Sequence, residues 1–229
     1  MKNILIIGYK GFIGSHLYDH WRTDYNITGI DKGHKLPNRD FDLVIHLAGL
    51  SGVRESWKNP IAYFKNNILL SLKIFRKYKR VIYASSSTVA EPWRNPYAFS
   101  KYIVEKIAPS NSLGIRFTTV YGPNSRKNML ISRIIDNNIK YVNVDCRRDF
   151  IHVYDVLEFF KIIMTYKLNG IVNVGTGSSL SIVNLVDPKT PKKLSSFYEM
   201  KDNQANIEKI KSLGFKPMFT VEDYINSAR

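Results

Sequence analysis

ILIIGYKGFIG, at residues 4–14, joins a short apolar run to three glycines placed three positions apart. The apolar run predicts a buried parallel strand, and the stretch Phe12–Trp21 suits a helix packed on that strand. The glycines permit a tight turn, let backbone N–H groups approach a phosphate and let the helix lie close to the strand. A lone glycine motif is weak evidence, so it is the strand–turn–helix context that predicts a dinucleotide pyrophosphate site at Gly8, Gly11 and Gly14.

Further along the chain, short apolar segments alternate with segments of helical spacing. Strands are predicted at 27–30, 43–47, 81–84, 114–120 and 171–174, and helices at 60–79, 97–108, 128–138, 153–166 and 205–213. This alternation predicts an α/β fold, a Rossmann-type doubly wound parallel sheet with a small, trimmed C-terminal lobe. We expect residues 1–122 to form mainly the dinucleotide-binding domain. Residues 123–229 should form the substrate lobe, with about 148–176 returning to the first domain.

An acidic residue, Asp31, stands at the end of the second predicted strand. In dinucleotide-binding folds an acid at this place accepts hydrogen bonds from the adenosine ribose, and its charge repels the 2′-phosphate of NADP. Lys32, His34 and Lys35 follow at once, and their charge could neutralise that phosphate. NAD is therefore the predicted cofactor, and NADP stays open as an alternative.

The segment YAFSK, at 97–101, places Tyr97 and Lys101 four positions apart, on one face of a predicted helix. An ammonium group beside the phenol, with a positive nicotinamide ring nearby, is expected to lower the pKa of Tyr97 so that it can act as a base. Ser86, at the end of the preceding strand, could hydrogen-bond the same substrate oxygen. The spacing of Tyr97 and Lys101 is common by itself, and the three residues in this order predict a catalytic set.

Composition limits the class of protein. The 229 residues are 44% hydrophobic, which excludes global disorder. Thirty-four Lys and Arg against 19 Asp and Glu give a net charge of +15, which favours anionic partners, but the cations are scattered and nucleic acid is not favoured. Cys146 is the single cysteine, the N-terminal apolar run is too short for a secretory signal, and no run approaches a membrane span. We expect a cytoplasmic protein without membrane contact.

Nine segments carry a resemblance to a known family: GYKGFIGSH (8–16), VIHLAGLSGVRES (44–56), NPIAYFKNN (59–67), SSSTV (85–89), YAFSK (97–101), RFTTVYGP (116–123), RDFIHVYDV (148–156), NVGTG (173–177) and LGFKP (213–217). In this order they resemble the extended short-chain dehydrogenase/reductase family, in its NAD-dependent nucleotide-sugar epimerase/dehydratase branch. Within that branch the likeness is closest to the UDP-glucose 4-epimerases. RDFIHV and HLAG are far more specific than the glycines.

The resemblance implies a nucleotide-diphosphate sugar as substrate and roles for individual residues. The chemistry is implied to rest on Ser86, Tyr97 and Lys101. The implied cofactor-binding residues are Gly8, Gly11, Phe12, Ile13, Gly14, Asp31, Lys32, Leu47, Ala48, Gly49, Asn66, Ala84, Tyr97 and Lys101. The implied substrate-binding residues are Ser86, Ser87, Thr88, Tyr97, Thr119, Asn128 and Arg148. No metal site is predicted, and a homodimer through helices 60–79 and 97–108 is expected.

The chain is shorter than members of this family typically are. Only a short loop separates Asp31 from the next recognisable strand, so a helix and a strand of the usual sheet are expected to be missing. The connection between Ser86 and Tyr97 is also short, and the stretch after NVGTG is trimmed. These losses concern the adenine side of the cofactor and the substrate lobe.

Three activities share the scaffold of this family. A dehydratase of this family would place Asp-Glu after the catalytic serine or threonine, and here Ser87 and Thr88 follow Ser86, which disfavours dehydration. In the favoured epimerase hypothesis, Tyr97 takes the proton of the sugar C4 hydroxyl while NAD accepts hydride, and the 4-keto sugar is reduced on its other face. An NAD(P)H-dependent keto-sugar reductase is the alternative. A non-catalytic relative that binds RNA or protein is the third hypothesis.

Overall fold

The computed structural model describes residues 1–228 and divides them into two compact units. The first unit comprises Met1–Arg116 and Lys167–Val172. The second comprises Phe117–Tyr166 and the chain from Asn173 on.

The first unit is built on a six-stranded sheet. Its strands are β1 (Asn3–Ile7), β2 (Asn26–Ile30), β3 (Leu43–His46), β4 (Val81–Ser86), β5 (Leu113–Phe117) and β9 (Gly170–Val174), in the order β2-β1-β3-β4-β5-β9. β1 pairs in parallel with both β2 and β3, and β3 pairs in parallel with β4. The apolar run Ile4–Ile7 is fully buried because the central strand has neighbours on both sides and helices above and below. The predicted doubly wound parallel sheet is confirmed.

Helices cover this sheet. They are α1 (Phe12–Trp21), α2 (Val53–Lys58), α3 (Pro60–Tyr63), α4 (Leu70–Lys77) and α5 (Pro96–Ile107), with a π-helical turn at Phe64–Leu69 joining α3 to α4. Leu5, Val44, Ile74, Tyr83 and Val104 belong to one buried apolar cluster between strands and helices. Residues 31–42 form a loop without helix or strand, which confirms the predicted loss of a helix and a strand after Asp31.

The second unit has its own sheet. Strands β6 (Thr119–Tyr121) and β8 (Arg147–His152) pair in parallel, and β10 (Ser179–Ser181) pairs antiparallel to β8. A small ladder joins β7 (Val142–Asn143) to β11 (Lys192–Lys193). The helices are α6 (Leu130–Ile135), α7 (Val153–Thr165), α8 (Glu208–Lys211) and α9 (Val221–Ser227). Its core cluster includes Tyr121, Ile134, Phe150, Leu185 and Val221.

Several predictions differ from the structure. The single strand predicted at 114–120 is two strands, β5 and β6, because the chain changes sheets at Thr118, whose N–H donates to the Val174 carbonyl. Of the segment 148–176 that was expected to return to the first domain, only residues 167–172 belong to the first compact unit, and β9 (Gly170–Val174) joins its sheet, whereas β8 pairs in the sheet of the second unit. The helix predicted at 205–213 is only α8, and α9 was missed although Thr220 caps its N-terminus through the Asp223 N–H.

Candidate active site

The glycine turn packs against the ends of two neighbouring strands. Gly8 has a φ of 92°, and its N–H donates to the Ile30 carbonyl at 2.8 Å. A Cβ at residue 8 would lie 2.6 Å from the Ala48 backbone nitrogen, and a Cβ at Gly14 would collide with the Gly8 carbonyl. The Gly11 N–H donates to that same carbonyl at 3.0 Å. The structure thus brings these three glycines together with Ala48, and side chains would not fit between them.

Helix α1 begins directly after this turn. Gly11 is its N-cap residue, and within residues 1–228 no side chain caps this end and no acid lies in the first turn. Phe12 and Ile13 are the first residues of the helix, where backbone N–H groups and the positive end of the helix dipole concentrate. A backbone cradle without Cβ atoms, beside an uncapped helix N-terminus, fits the pyrophosphate of a dinucleotide.

Asp31 lies beside the same turn, directly after β2. One carboxylate oxygen accepts the Lys10 N–H at 3.1 Å, and the other accepts the Lys32 N–H at 2.7 Å. The His34 N–H donates to the Asp31 carbonyl at 3.0 Å. These bonds hold the half-buried carboxylate next to the glycine turn, among exposed basic residues.

The segment after β3 closes the opposite wall of this cleft in the first unit. Gly49 has a φ of 155°, and a Cβ there would lie 2.9 Å from the Asn67 Oδ1 and 3.6 Å from the Lys101 Nζ. The Asn67 side chain accepts the Leu50 N–H at 2.7 Å and donates to the Leu50 carbonyl at 3.0 Å. Its amide also donates to the Ser100 hydroxyl at 2.8 Å. One buried amide therefore joins the strand end to helix α5.

Asn66, predicted from the sequence to line the cofactor cleft, is placed elsewhere. Its side chain is exposed and donates to the Ala62 carbonyl of its own helix at 2.8 Å. The next residue, Asn67, is 1% exposed and contacts the cleft segment instead. The π-helical turn at Phe64–Leu69 changes which side chains face inward at these positions. Asn67, which the sequence analysis did not name, is bonded to this segment, and the adjacent pair of asparagines is the signal that could have indicated it.

Lys101 lies at the floor of the cleft. Its ammonium donates to the Ala84 carbonyl at 2.8 Å, and the residue is 7% exposed. Burial lowers the pKa of Lys101 to about 8, and the charge of Glu105 opposes that shift. His46, buried at the end of β3, has a pKa lowered to about 3 by burial and by the charge of Lys101, so it is neutral at physiological pH. The protonation of Lys101 thus depends on its burial and on the negative charge of Glu105.

Tyr97 begins the helix that carries Lys101. Asn95 caps this helix by accepting the Ala98 N–H at 2.8 Å, and Pro96 occupies its first position. The half-buried Tyr97 ring contacts Tyr63 edge to face at a centroid distance of 6.2 Å. One helical turn separates Tyr97 from Lys101, as predicted.

Ser86 is the last residue of β4 and is 6% exposed. Its Oγ accepts two hydrogen bonds from Thr88, one from the N–H at 3.2 Å and one from the hydroxyl at 2.9 Å. These bonds occupy acceptor positions of the oxygen and leave the serine proton for another acceptor. Ser87 is half-buried and lies in the same short 3-10 turn.

The remaining predicted substrate residues belong to the second unit. Thr119, in β6, accepts a bond from the Asn203 side chain at 3.2 Å. Asn128 is exposed in the loop before α6.

Arg148, in β8, already has partners within its unit. The guanidinium donates to the carbonyls of Arg147 at 2.7 Å and Lys201 at 3.3 Å, and lies 4.0 Å from a Glu199 carboxylate oxygen. The neighbouring Asp149 is fully buried and accepts backbone N–H groups, among them that of Thr176 at 2.8 Å. The Arg148 side chain is 17% exposed, and these contacts restrict the orientation of its guanidinium.

Among residues 1–228 there is no cluster of His, Cys, Asp or Glu suited to hold a metal ion. In the same part of the chain no helix has the length and apolarity to cross a membrane.

The chain is similar to known proteins over most of its length. Residues 4–175 match the model of the NAD dependent epimerase/dehydratase family. An uncharacterised protein of Methanocaldococcus jannaschii is 27% identical, covering 97% of this chain and 93% of that protein. The uncharacterized UDP-glucose epimerase YtcB of Bacillus subtilis is 26% identical, covering 96% of this chain and 94% of that protein. The first of these alignments runs over 304 positions, so the relative carries internal segments that these 229 residues lack.

Solved structures are also similar to this chain over nearly its whole length. MoeE5 in complex with UDP-glucose and NAD superposes with a TM-score of 0.86 at 26% identity, covering 99% of this chain and 97% of that chain. A UDP-N-acetylglucosamine 4-epimerase from Methanobrevibacter ruminantium M1, in complex with UDP-N-acetylmuramic acid, has a TM-score of 0.82 at 25% identity. It covers 100% of this chain and 96% of that chain.

Proposed function

Since the chain belongs to the NAD dependent epimerase/dehydratase family, we propose that it is a nucleotide-sugar 4-epimerase whose catalytic set is Ser86, Tyr97 and Lys101. The family is NAD-dependent by its description, and a similar structure contains NAD together with UDP-glucose. The specific reaction is our proposal.

The observation that carries the proposal is the position of the Lys101 ammonium. It is bonded to the Ala84 carbonyl, lies beside Gly49, and stands one helical turn from Tyr97 on α5. A buried cation beside a phenol favours the phenolate, which is the form that removes a proton. A protein that only binds ligands has no need for this cation, because burying it without a function costs free energy.

Each of these residues of the first unit has a separate role in inverting the configuration at C4 of the sugar. When bound in the glycine cradle, NAD supplies a reversible hydride acceptor. Tyr97 accepts the proton of the C4 hydroxyl in one half-reaction and returns a proton to the same oxygen in the other. Ser86, whose Oγ already accepts two bonds from Thr88, donates its own proton to that oxygen. Asp31 is suited to accept bonds from the adenosine ribose.

For the second unit, we propose that Arg148 binds the diphosphate of the nucleotide sugar and that Asn128 and Thr119 contribute polar contacts. A guanidinium fork matches the oxygens of a phosphate better than an ammonium does. The bonds from Arg148 to two backbone carbonyls restrict the orientations of its guanidinium before a ligand binds. Less side-chain entropy is therefore lost on binding.

The test is interconversion of UDP-glucose and UDP-galactose without added reductant, within a panel of nucleotide sugars and with NAD present. We expect turnover by the unmodified protein and a loss of about a thousandfold or more in Tyr97→Phe, because the proton acceptor is removed. Tyr102→Phe is the matched control, since Tyr102 lies on the same helix, half-buried and beside Lys106.

The outcomes separate the hypotheses. Absence of turnover on every nucleotide sugar of the panel would overturn the epimerase proposal. Stoichiometric consumption of NADH or NADPH with a 4-keto-6-deoxy nucleotide sugar would replace the epimerase by a reductase. NAD retained through purification, released on denaturation and identified by mass spectrometry, would support the epimerase, because an epimerase does not consume its cofactor.

A further inference from the structure

Glu105 is buried directly behind the catalytic set. It lies on α5 one turn after Lys101, and its side chain is 6% exposed. Its carboxylate accepts the Nη2–H of Arg116 at 2.6 Å, the Nε–H of Arg116 at 2.9 Å and the Ser85 hydroxyl at 2.5 Å. A buried carboxylate with this many donors is held in one orientation.

The bonds of Glu105 fasten α5 to the end of β4. Ser85 directly precedes Ser86 in that strand, and Lys101 bonds the adjacent Ala84 carbonyl. Two successive residues of β4 are therefore attached to two successive turns of α5. This attachment fixes the distance between Ser86, on the strand, and the proton-accepting residues on the helix.

The same carboxylate acts on the charge of Lys101. Burial is the main cause that lowers the pKa of Lys101 to about 8, and the negative charge of Glu105 raises it again. His46 on β3 also interacts with this ammonium and is neutral, because its pKa is lowered to about 3. Tyr97 lies one helical turn before Lys101 on α5. Tyr83 on β4 stays a neutral phenol, since burial and Glu105 raise its pKa.

We propose that Glu105, oriented by Arg116 and Ser85, is a positioning residue: it holds the helix of Tyr97 and Lys101 in register with Ser86 and supplies the negative charge that stabilises the buried ammonium. This inference deepens the proposed function and rests on it for its catalytic consequence. Its electrostatic part can be measured without substrate or cofactor.

A purely structural ion pair and a charge-setting residue predict different results. If the pair only stabilises the fold, removal of either partner weakens the fold in the same direction. If Glu105 sets the charge of Lys101, removing Glu105 lowers the pKa of Lys101 and removing Arg116 raises it. Loss of the carboxylate removes a stabilising negative charge, whereas loss of Arg116 removes a cation that partly neutralises that carboxylate.

The experiment is a pH titration of the unliganded protein carrying 13Cε-labelled lysine, with the Lys101 resonance assigned by its absence in Lys101→Met. We expect Glu105→Gln to shift the Lys101 midpoint downward by about one unit, the lower end of what a nearby opposite charge produces. Arg116→Gln should shift the midpoint upward, and Glu105→Asp should return it towards the unmodified value. Circular dichroism spectra establish that each variant is folded, and Arg116→Met, which also removes the positive charge, replaces Arg116→Gln as the partner variant if the latter does not fold.

The pH dependence of kcat/KM should shift in the same direction as the pKa of Lys101 in each variant. Protonated Lys101 is the active form, so kcat/KM falls as the pH rises through its pKa. This alkaline limb should move to lower pH in Glu105→Gln and back in Glu105→Asp. Equal Lys101 midpoints in all folded variants, or shifts of the same sign for Glu105→Gln and Arg116→Gln, would overturn the inference. Opposite shifts in a protein without epimerase activity would support the charge-setting role and contradict the proposed function.

Discussion

At the scale of single residues, the hydroxyl of Thr88 is the clearest case of one side chain adjusting another. It donates to the Ser86 Oγ at 2.9 Å, and the Thr88 N–H donates to the same atom at 3.2 Å. Thr88→Val keeps the shape and the N–H and removes the hydroxyl. We expect kcat to fall about tenfold, the equivalent of one hydrogen bond, because the Ser86 proton is then free to rotate away from the sugar oxygen.

Steady-state kinetics measure this change, and Thr88→Ser is the control that restores the donor. KM should change less than kcat, since the Thr88 hydroxyl is bonded to the Ser86 Oγ. An unaltered kcat in Thr88→Val would show that the hydroxyl does not direct Ser86.

At the scale of elements, the π-helical turn at Phe64–Leu69 joins the cleft to α5 through Asn67. Asn67→Ala removes bonds to the Leu50 N–H, the Leu50 carbonyl and the Ser100 hydroxyl. We expect the free energy of unfolding to fall by about 2–4 kcal/mol, because buried polar backbone groups lose their partner. NAD affinity should fall as well, since the segment beside Gly49 is no longer held.

Asn66→Ala is the matched control for this prediction. Its exposed amide bonds only within its own helix, so the unfolding free energy should change by less than about 0.5 kcal/mol. Denaturant titration and NAD titration measure both effects. If Asn66→Ala weakens NAD binding and Asn67→Ala leaves it unchanged, Asn67 does not support the cofactor cleft. Asn66, the residue predicted from the sequence, would then be the one that does.

This asparagine pair also illustrates what the sequence could predict. The parallel sheet, the glycine turn and the missing elements after Asp31 followed from apolar runs and turn residues, which depend on local chemistry. Asn66 was named because the family resemblance implies it, whereas the π-helical turn at Phe64–Leu69 places the Asn67 side chain against the cleft segment. No local signal marks such a turn, since tertiary packing selects it.

Two further differences have the same kind of cause. Residues 114–120 contain no turn signal, so nothing local indicates that the chain changes sheets at Thr118. The Glu105–Arg116 pair joins residues of different elements, and an acid four positions after Lys101 looks like a surface ion pair until its burial is known. Helix α9, in contrast, was detectable, because Thr220 and Asp223 form a capping signature.

At the scale of the whole molecule, charge and apolar surface oppose each other. A net charge of +15 makes copies of the chain repel one another, and this repulsion weakens as salt screens it. Large apolar side chains are nevertheless exposed on the helices predicted to mediate a homodimer. Phe64 and Phe99 are each 51% exposed, and Trp93 is 74% exposed beside them in one apolar groove.

We therefore expect a second copy of the chain to cover this groove, with dimerisation strengthened by added salt, because exposed apolar patches of this kind mark protein contacts. Phe64→Lys or Phe99→Lys would place a charge in the interface and should give a monomer, since burying an unpaired charge is costly. Met218→Lys adds the same charge at a 75% exposed apolar residue of the second unit and should leave the dimer intact. Sedimentation velocity at tens of micromolar (about 30 μM), at low and high salt, measures the association state. A monomer at every salt concentration would contradict the homodimer and show that a second copy of the chain does not cover this groove.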